Sequence, residues 1–451
     1  MPTLRPRVHF TPRANWINDP NGLVYAGGAY HLFCQFNPRG LDHGYMSWGH
    51  ATSRDLLHWQ EHDVALPWRE GHDVFSGSAF VDWADTAGFA RPGDPHPPVI
   101  AMYTGNAPDH QAQYLAVSRD AGTTWTFATP EPVLDEGKAD FRDPKTFWHA
   151  PSGQWVSVVV HPHERQVGLY GSADLRTWAP LSTFGPAGVT EGIWEVPDLF
   201  PLRGPGGQVR WVLKVDTFQG GPQGGCGAQY WVGDFDGVTF TPATPARWAD
   251  WGRDFYAAIT YADLPAEQDR TVWIGWLNNW SYATRLPTTP WRGMMTLPRE
   301  LGLSADLILT QAPVRELEAR RGAALTPDGD GLPLPPGQAV DLTLTATGEF
   351  TLTLTSAAGE EAALFLQGGA LHLRRPAPPE APDFAGTHAA PLPDGAFLDG
   401  RLDLRVVLDT LSVEVFAAGG RLSFTHGLLP TRPVTRLGLS GAVQGEGWVL
   451  T

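Results

Sequence analysis

Short hydrophobic runs rich in Val, Tyr, Trp and Phe alternate with clusters of Gly, Pro and Asp through the first three hundred residues. The run over residues 30–36 is typical, because it is apolar, aromatic and preceded by a Gly-Gly turn. Helical periodicity is nearly absent before Ala312. The pattern therefore predicts many short β-strands in this part of the chain.

A weak motif recurs in this region at intervals of about 60 residues. In three copies, a serine is followed two positions later by aspartate and then by a tryptophan that begins the next run; a fourth copy is degenerate. The copies are Ser53-Arg-Asp-Leu-Leu-His-Trp59, Ser118-Arg-Asp-Ala-Gly-Thr-Thr-Trp125, Ser172-Ala-Asp-Leu-Arg-Thr-Trp178 and Gly233-Asp-Phe-Asp-Gly-Val-Thr-Phe240. About four strands fit into each interval, which is typical of a β-propeller.

Five polar motifs alternate with these copies, and this number predicts five blades. The motifs are those around Asp19, Ser76, Asp143, Glu195 and Asp254. The first strand of each blade would then direct a polar residue toward one central axis. A large β-sandwich with incidental Ser-x-Asp turns is the alternative, but it does not explain why the alternation holds through every interval.

The pattern changes after about Arg299. Residues 311–321 predict a short helix, and the Gly- and Pro-rich residues 327–337 predict a connector. Period-two alternation then begins at Val340 and continues over several short strands, which predicts a β-sandwich. We therefore expect an all-β chain, with a five-bladed β-propeller over residues 1–300, a linker over 301–338 and a C-terminal β-sandwich over 339–451.

The composition excludes several classes of partner. The 451 residues carry 32 Lys+Arg against 48 Asp+Glu, a net charge of -16. Neither nucleic acid nor an anionic membrane is expected as a partner, because both repel an acidic surface. The N-terminus has no apolar signal-like segment, so a cytoplasmic location is expected. The two cysteines, Cys34 and Cys226, are too few for a disulfide framework.

Three of the polar motifs each contain one candidate catalytic carboxylate: Asp19, Asp143 and Glu195. Their sequences are Trp16-Ile-Asn-Asp-Pro-Asn-Gly22, Phe141-Arg-Asp-Pro144 and Trp194-Glu-Val-Pro-Asp198. Cleavage of a glycosidic bond with retention requires two carboxyl groups about 5–5.5 Å apart, one as nucleophile and one as acid/base. A third can stabilise positive charge in the transition state. This chemistry indicates a sugar substrate.

The neighbours of each carboxylate suggest its role. Asp19 suits the nucleophile, because hydrogen bonds from Asn18 and Asn21 would keep it ionised. Glu195 suits the acid/base, because the apolar residues around it would desolvate the carboxyl group and raise its pKa. Asp143 follows Arg142 directly, so we expect it to stay charged and to accept hydrogen bonds from sugar hydroxyls.

The motif set as a whole resembles that of the invertase, levanase and exo-inulinase glycoside hydrolases, the β-fructofuranosidases. The resemblance covers nearly the whole chain, and the segments at residues 220–230 and 287–300 resemble the exo-levanase and exo-inulinase branch in particular. It rests on seven motifs in family order: the Asp19, Asp143 and Glu195 segments, Gln35-Phe-Asn-Pro38, Trp48-Gly-His-Ala51, Phe75-Ser-Gly-Ser78 and Asp254-Phe-Tyr-Ala257.

This resemblance implies a retaining exo-β-fructosidase that releases terminal β-D-fructofuranosyl units from sucrose, fructo-oligosaccharides, inulin or levan. Asp19 would be the nucleophile, Glu195 the acid/base and Asp143 the transition-state stabiliser. The substrate-binding residues would be Asn18, Gln35, Trp48, Phe75, Ser76, Arg142, Asp254 and Trp276. Trp280 either joins the pocket wall or packs in the propeller core. No cofactor is implied, and no metal is expected, because His161 and His163 are interpreted as part of a surface turn.

Two departures from the family pattern stand out. The family commonly has cysteine directly after the acid/base glutamate, where this chain has Val196. We expect that change to alter the pH profile more than the reaction type. The stretch between Asn37 and Trp48 also lacks the aromatic-rich pattern expected of an invertase, which leaves the preference for the leaving group open.

Other functions remain open at this point. A fructosyltransferase would use the same covalent intermediate with a sugar hydroxyl as acceptor, and a non-catalytic fructan-binding protein would lack one carboxylate. A five-bladed arabinan- or xylan-cleaving hydrolase would also use three carboxylates, but the Asp19 and Trp48 motifs argue against it. Linkage preference, chain length and oligomeric state do not follow from the sequence.

Overall fold

The computed structural model describes residues 4–328 and 331–451. It is built almost entirely from β-strands, as the sequence pattern predicts. The first blade contains the strands β1 Asn15–Ala26, β2 Ala29–Asn37, β3 Ser47–Ser53 and β4 Gln60–Glu61. The second contains β5 Asp73–Val81, β6 Val99–Ala107, β7 His110–Ser118, β8 Thr126–Phe127 and β9 Leu134–Lys138.

Three further blades follow in chain order. The third contains β10 Arg142–His149, β11 Gln154–His161, β12 Gln166–Ser172 and β13 Ala179–Phe184. The fourth contains β14 Trp194–Arg203, β15 Val209–Thr217, β16 Gly227–Phe235, β17 Phe240–Pro242 and β18 Arg247–Trp248. The remaining propeller strands are β19 Tyr256–Thr260, β20 Thr271–Trp276, β21 Trp291–Arg292, β22 Arg299–Leu303 and β23 Leu309–Pro313.

These strands form the five-bladed β-propeller that the motif spacing predicts. Each blade is a separate antiparallel sheet, and the fifth contains β19, β20, β22 and β23. The strand β21 leaves its own blade and pairs in parallel with β1, where Asn15 lies opposite Trp291. This pairing joins the last part of the propeller to the first blade and closes the ring.

The recurring Ser-x-Asp motif marks the same turn in successive blades. Ser53, Ser118 and Ser172 each end the third strand of a blade, and each hydroxyl donates to the aspartate two positions later at 2.7–3.1 Å. The aspartates also accept hydrogen bonds from backbone amides further along the turn. Because the local hydrogen bonds specify the turn, the repeat is detectable without tertiary information.

Apolar clusters fill the space between neighbouring blades. Phe33 and Tyr103 belong to the cluster between the first two blades, and Phe141 to the cluster between the second and third. Trp194 and Phe255 belong to the next two clusters, and Trp276 to the cluster between the fifth and first blades. These contacts hold the inner strands around the axis.

The C-terminal domain is a β-sandwich built from one continuous ten-stranded sheet. Its strands are β24 Arg321–Ala324, β25 Gly331–Pro333, β26 Ala339–Ser356, β27 Glu361–Gln367, β28 Ala370–Arg375, β29 Gly386–Pro391, β30 Leu402–Asp409, β31 Ser412–Ala417, β32 Leu422–Gly427 and β33 Val434–Leu450. The first half of the long strand β26 pairs with β30 and its second half with β27. A register shift between Ala346 and Phe350 separates the halves, so β26 belongs to both layers.

The region predicted as a linker is part of both domains. Its first two strands, β22 and β23, complete the fifth blade, which ends at Pro313 rather than at residue 300. Further along, β24 and β25 pair with β33 of the sandwich. These strands are three to five residues long, too short for alternation to be visible in the sequence. Residues 329 and 330 of the predicted connector lie outside the described residues.

Among the described residues, helical structure is limited to four short 3-10 helices: Ala266–Gln268, Ala283–Arg285, Arg315–Arg320 and Pro382–Phe384. The third of these lies within the predicted helix at residues 311–321. Within residues 4–328 and 331–451, no helix is long and apolar enough to cross a membrane.

Candidate active site

The innermost strand of every blade contains a β-bulge near its start. In each case two residues on the inner strand lie opposite one residue on the neighbouring strand. The bulges lie between Ile17 and Pro20, Val74 and Gly77, Arg142 and Lys145, Glu195 and Asp198, and Tyr256 and Ile259. An extra residue bends the strand and redirects its side chains. The five bulges therefore direct polar groups from five blades toward the same end of the axis.

The sequence motifs explain three of these bulges. Pro20, Pro144 and Pro197 lie within or at the edge of a bulge, and proline has no N–H to donate to the sheet. The backbone is left-handed at Asp143 (φ 63°) and at Val196 (φ 44°). The Asp-Pro and Val-Pro pairs thus interrupt the ladder at the point where the candidate catalytic residues lie.

Asp19 is buried at the start of β1. Its Oδ2 accepts a hydrogen bond from the Ser76 hydroxyl at 2.7 Å, and its Oδ1 accepts one from the Asn18 amide at 3.1 Å. Burial, together with the charge of Glu195, raises the pKa of Asp19 to about 6 despite these bonds. The hydrogen bonds favour the charged form, as predicted, but desolvation outweighs them, so the net shift of the pKa is upward.

Asp143 lies on β10 and accepts a hydrogen bond from the Val196 backbone amide at 2.9 Å. Burial raises the pKa of Asp143 to about 7; Arg142 opposes this shift, and the charges of Glu195 and Asp19 add to it. Arg142 therefore does not hold Asp143 fully ionised near neutral pH, contrary to the prediction.

Glu195 is the most exposed of the three carboxyl groups, with 17% of its side chain accessible. Its Oε1 accepts a hydrogen bond from Arg142 at 2.9 Å, and its Oε2 accepts one from the Tyr256 hydroxyl. The carboxyl group of Glu195 therefore contacts polar side chains rather than the apolar surroundings that were predicted for it. Trp194 instead packs on Trp231 between the blades, because neighbours in a strand point to opposite faces.

Most of the predicted binding residues gather around these carboxyl groups. Asn18, Ser76 and Arg142 contact them directly. Gln35 is buried and donates to the Val74 carbonyl at 3.0 Å. Trp48 is fully buried and donates from its indole to the Phe75 carbonyl at 3.0 Å, so its ring supports the inner strand of the second blade.

An aromatic cluster lies beside the carboxyl groups. Trp276 packs on Trp16 and Trp280, with ring centroids 6.0 and 4.9 Å away. The His43 ring lies 5.6 Å from Trp280 and 6.2 Å from Phe75, so it joins the two sides of the cluster. Trp280 thus belongs both to this wall and to the edge of the core. Sequence reasoning missed His43, which lies in the stretch judged poor in aromatic residues.

Asp254 does not lie with the predicted binding residues. Its carboxyl group accepts hydrogen bonds from Tyr282, from Arg375 and from the Gly427 backbone amide. Arg375 and Gly427 belong to the C-terminal domain, so Asp254 is part of the contact between the domains. The residue of this motif that reaches the site is Tyr256, which sequence reasoning missed although it lies in the same tetrapeptide.

No candidate metal site accompanies the carboxyl groups. Throughout the described part of the chain, no group of three or more His, Cys, Asp and Glu side chains could hold a metal ion. His161 lies near Lys138 and Tyr170, and His163 near Asp140, so the two rings serve different contacts.

Carboxyl groups held in this way on the inner strands of a five-bladed propeller, beside an aromatic wall, define the site of a glycoside hydrolase. The chain belongs to glycosyl hydrolases family 32. It matches the N-terminal domain of that family over residues 9–313 and the C-terminal domain over residues 314–446.

Curated relatives give the family more detail. The chain is 40% identical to a levanase of Bacillus subtilis, over 98% of this chain and 68% of the levanase. It is 44% identical to an extracellular exo-inulinase of Aspergillus niger, over 66% of this chain and 62% of that protein. The chain thus spans about two thirds of the length of these relatives.

Solved structures share the complete fold. An exo-inulinase from Aspergillus awamori superposes with a TM-score of 0.90 at 34% identity, covering 100% of this chain and 98% of that one. A β-fructofuranosidase from Schwanniomyces occidentalis, complexed with fructosyl-erythritol, also gives 0.90 at 29% identity and covers 99% and 97% of the two chains. The propeller and sandwich are therefore shared along the entire chain.

Proposed function

We propose that this protein is a retaining exo-acting β-fructosidase that hydrolyses terminal β-D-fructofuranosyl units of sucrose, fructo-oligosaccharides, inulin or levan. The observation that carries the proposal is the convergence of Asp19, Asp143 and Glu195 at equivalent bulges of three blades. The levanase and exo-inulinase relatives support the substrate class. The proposed substrate is neutral. This agrees with the site, where the guanidinium group of Arg142 lies among three acidic groups and contacts Glu195 directly.

Asp19 is the nucleophile in this proposal. One carboxylate oxygen attacks the anomeric carbon of the fructosyl unit, and the glycosidic bond breaks as a covalent fructosyl-enzyme forms. The hydrogen bonds from Ser76 and Asn18 fix the direction of both oxygens, so little reorganisation is needed for attack. The group must be ionised, which requires a pH above its pKa of about 6.

Glu195 is the acid/base. In the first step it gives its proton to the leaving glycosidic oxygen, and in the second it takes a proton from the water that releases fructose from Asp19. Its partial exposure suits a group that must meet both the leaving group and the incoming water. Arg142 and Tyr256 hold its two oxygens, so the group keeps one orientation through both steps.

Asp143 stabilises the transition state. It lies beside Arg142 and accepts a hydrogen bond from the Val196 amide. Its remaining lone pairs can accept hydrogen bonds from sugar hydroxyls. Its negative charge favours the positive charge that develops on the ring. Asn18, Gln35 and Ser76 would add polar contacts to the fructosyl unit, and Phe75 and Trp276 would bound it.

The test is fructose release from sucrose, inulin and levan, compared as initial rates. Asp19→Ala should lose activity by at least about 10⁴-fold, because the nucleophile is removed. Asp234→Asn, on the outer part of the fourth blade, is the control and should keep wild-type rates. Wild-type rates in Asp19→Ala would refute the mechanism, and chain-lengthened oligosaccharides as the main product would identify a fructosyltransferase instead.

A further inference from the structure

A buried lysine–aspartate pair lies behind the acid/base group and takes no part in the chemistry proposed above. Lys214 and Asp216 are both on β15, and both side chains are completely buried. They are two residues apart, so they lie on the same face of the strand. On the neighbouring strand β14, Asp216 faces Glu195 and Lys214 faces Asp198.

The Lys214 ammonium group joins this pair to the bulge that follows Glu195. It donates to the Val196 carbonyl at 2.9 Å and to Asp216 Oδ2 at 2.7 Å. The amide of the same residue, Val196, donates to Asp143. Both polar backbone groups of Val196 are therefore engaged, one by a catalytic candidate and one by Lys214.

Val196 adopts a conformation that its sequence disfavours. Its φ is 44°, in the left-handed region, which is an outlier for a β-branched residue. The following residue is Pro197, and a residue before proline is normally extended. Such strain persists only where the surroundings hold it. The hydrogen bonds from Lys214 and to Asp143 supply that restraint.

We propose that Lys214 is a positioning residue for the reaction, which holds the Val196 bulge so that Glu195 and Asp143 keep their places, with Asp216 anchoring its ammonium group. This role rests on the proposed function, because Lys214 would position Glu195 and Asp143, two catalytic groups of the proposed reaction. It also accounts for a fully buried charge pair within a sheet, where apolar residues would suffice for stability.

The pair also acts on the nucleophile through its charge. Lys214 lowers the pKa of Asp19, whereas Asp216 and Asp19 repel each other. Burial raises the pKa of Asp216 to about 7, so Asp216 is mostly uncharged where Asp19 titrates, and Lys214 is the member of the pair that acts on the nucleophile. The other charged or titratable groups that face the pair or its partners are Asp143 and Lys145 on β10, Glu195 and Asp198 on β14, Tyr256 on β19 and Cys226 before β16.

The test separates backbone positioning from charge. Lys214→Met with Asp216→Asn removes the donor without leaving an unpaired charge, and it should lower kcat by about 10²-fold with little change in KM. Adding Val196→Gly to this variant should raise its kcat by about 10-fold, because glycine adopts the left-handed conformation without strain. Lys214→Gln with Asp216→Asn keeps an amide donor and should retain more kcat than the methionine variant.

Asp216→Asn alone keeps the hydrogen bond from Lys214. Because Asp216 is mostly uncharged where Asp19 titrates, this variant should leave the acid limb of the kcat/KM profile in place, whereas Lys214→Met with Asp216→Asn should move the limb to higher pH. Carboxyl ¹³C NMR of Asp19 measures the same shift without turnover, so this readout stands even if fructose release is absent and the proposed function fails.

A buried charge pair away from the bulge provides the control. Arg375→Met with Asp254→Asn removes the buried pair at the contact between the domains, and Val196→Gly should not repair its losses. Unchanged kcat in Lys214→Met/Asp216→Asn would overturn the proposal. Equal losses with and without Val196→Gly would also overturn it, since the pair would then serve the core alone.

Discussion

Asp19 shows how burial controls protonation at the level of single residues. Its pKa of about 6 means that the reactive carboxylate is lost as the pH falls through this value. The hydrogen bond from Ser76 favours the charged form and so opposes the shift. We therefore expect the activity of the wild-type enzyme to decline on the acid side between about pH 7 and pH 6, as Asp143 and then Asp19 take up protons.

Ser76→Ala tests this origin of the acid limb. Loss of the hydroxyl should raise the pKa of Asp19 further and move the acid limb of kcat/KM to higher pH by about one unit. Ser78→Ala is the matched control, because Ser78 lies on the same strand but bonds to Pro144 and Thr146. A Ser76 variant with an unshifted limb would show that another group sets it.

Asp143 shows how a buried carboxyl group affects the stability of the fold. Its pKa of about 7 exceeds the ordinary value of 3.8, so the folded state binds more protons than the unfolded state between these values. The stability of the fold therefore falls as the pH rises through that window. Asp143→Asn should raise the free energy of unfolding by about 1–3 kcal/mol at pH 8 and by much less at pH 4, while abolishing activity. Urea unfolding at both pH values measures the difference.

The bulges are the elements that convert five ordinary strands into a site. Gly77 closes the bulge that carries Ser76, and a Cβ at this position would lie 2.1 Å from the Met102 carbonyl oxygen. Gly77→Ala should therefore destabilise the protein by about 1–3 kcal/mol and displace Ser76 from Asp19. Gly40→Ala is the control, because the nearest atom to its Cβ is 3.9 Å away. Equal melting temperatures would contradict this account.

At the scale of the whole molecule, buried charges join the two domains. His9 contacts Asp409 and Glu414 at 2.8 Å, and Glu414 also binds Arg299 of the fifth blade. Burial opposes protonation of His9, but the two carboxylates prevail and raise its pKa to about 9. Together with the contact between Asp254 and Arg375, this network makes the sandwich a support for the propeller.

This network predicts alkaline sensitivity. A histidine whose pKa is raised on folding contributes stability that is complete below about pH 6.5 and is lost as the pH rises through about 9. We expect the free energy of unfolding to fall by about 3 kcal/mol across that window. His9→Gln should be destabilised at pH 7 and should lose this slope, as followed by urea titrations. A wild-type protein of constant stability from pH 6.5 to 9.5 would refute the assignment.

Sequence reasoning succeeded where the information is local. The Ser-x-Asp turns are specified by hydrogen bonds within a few residues, so their spacing predicted the propeller, and the five polar motifs between them predicted the number of blades. It failed at Asp254 and Tyr256, two residues apart in one motif. Only the direction of the inner strand decides which of them reaches the axis and which reaches the other domain. His43 was missed for a similar reason, because its loop contacts rings that are distant in sequence.

The sequence by itself determined the all-β fold, the repeat and the three candidate carboxyl groups, since alternation, turn chemistry and motif order depend on neighbouring residues. Only the tertiary structure decided their protonation, the contacts of Glu195 and the place of Lys214 behind Val196. These properties depend on desolvation and on charges brought together from different blades. Neither exists until the ring of blades has closed.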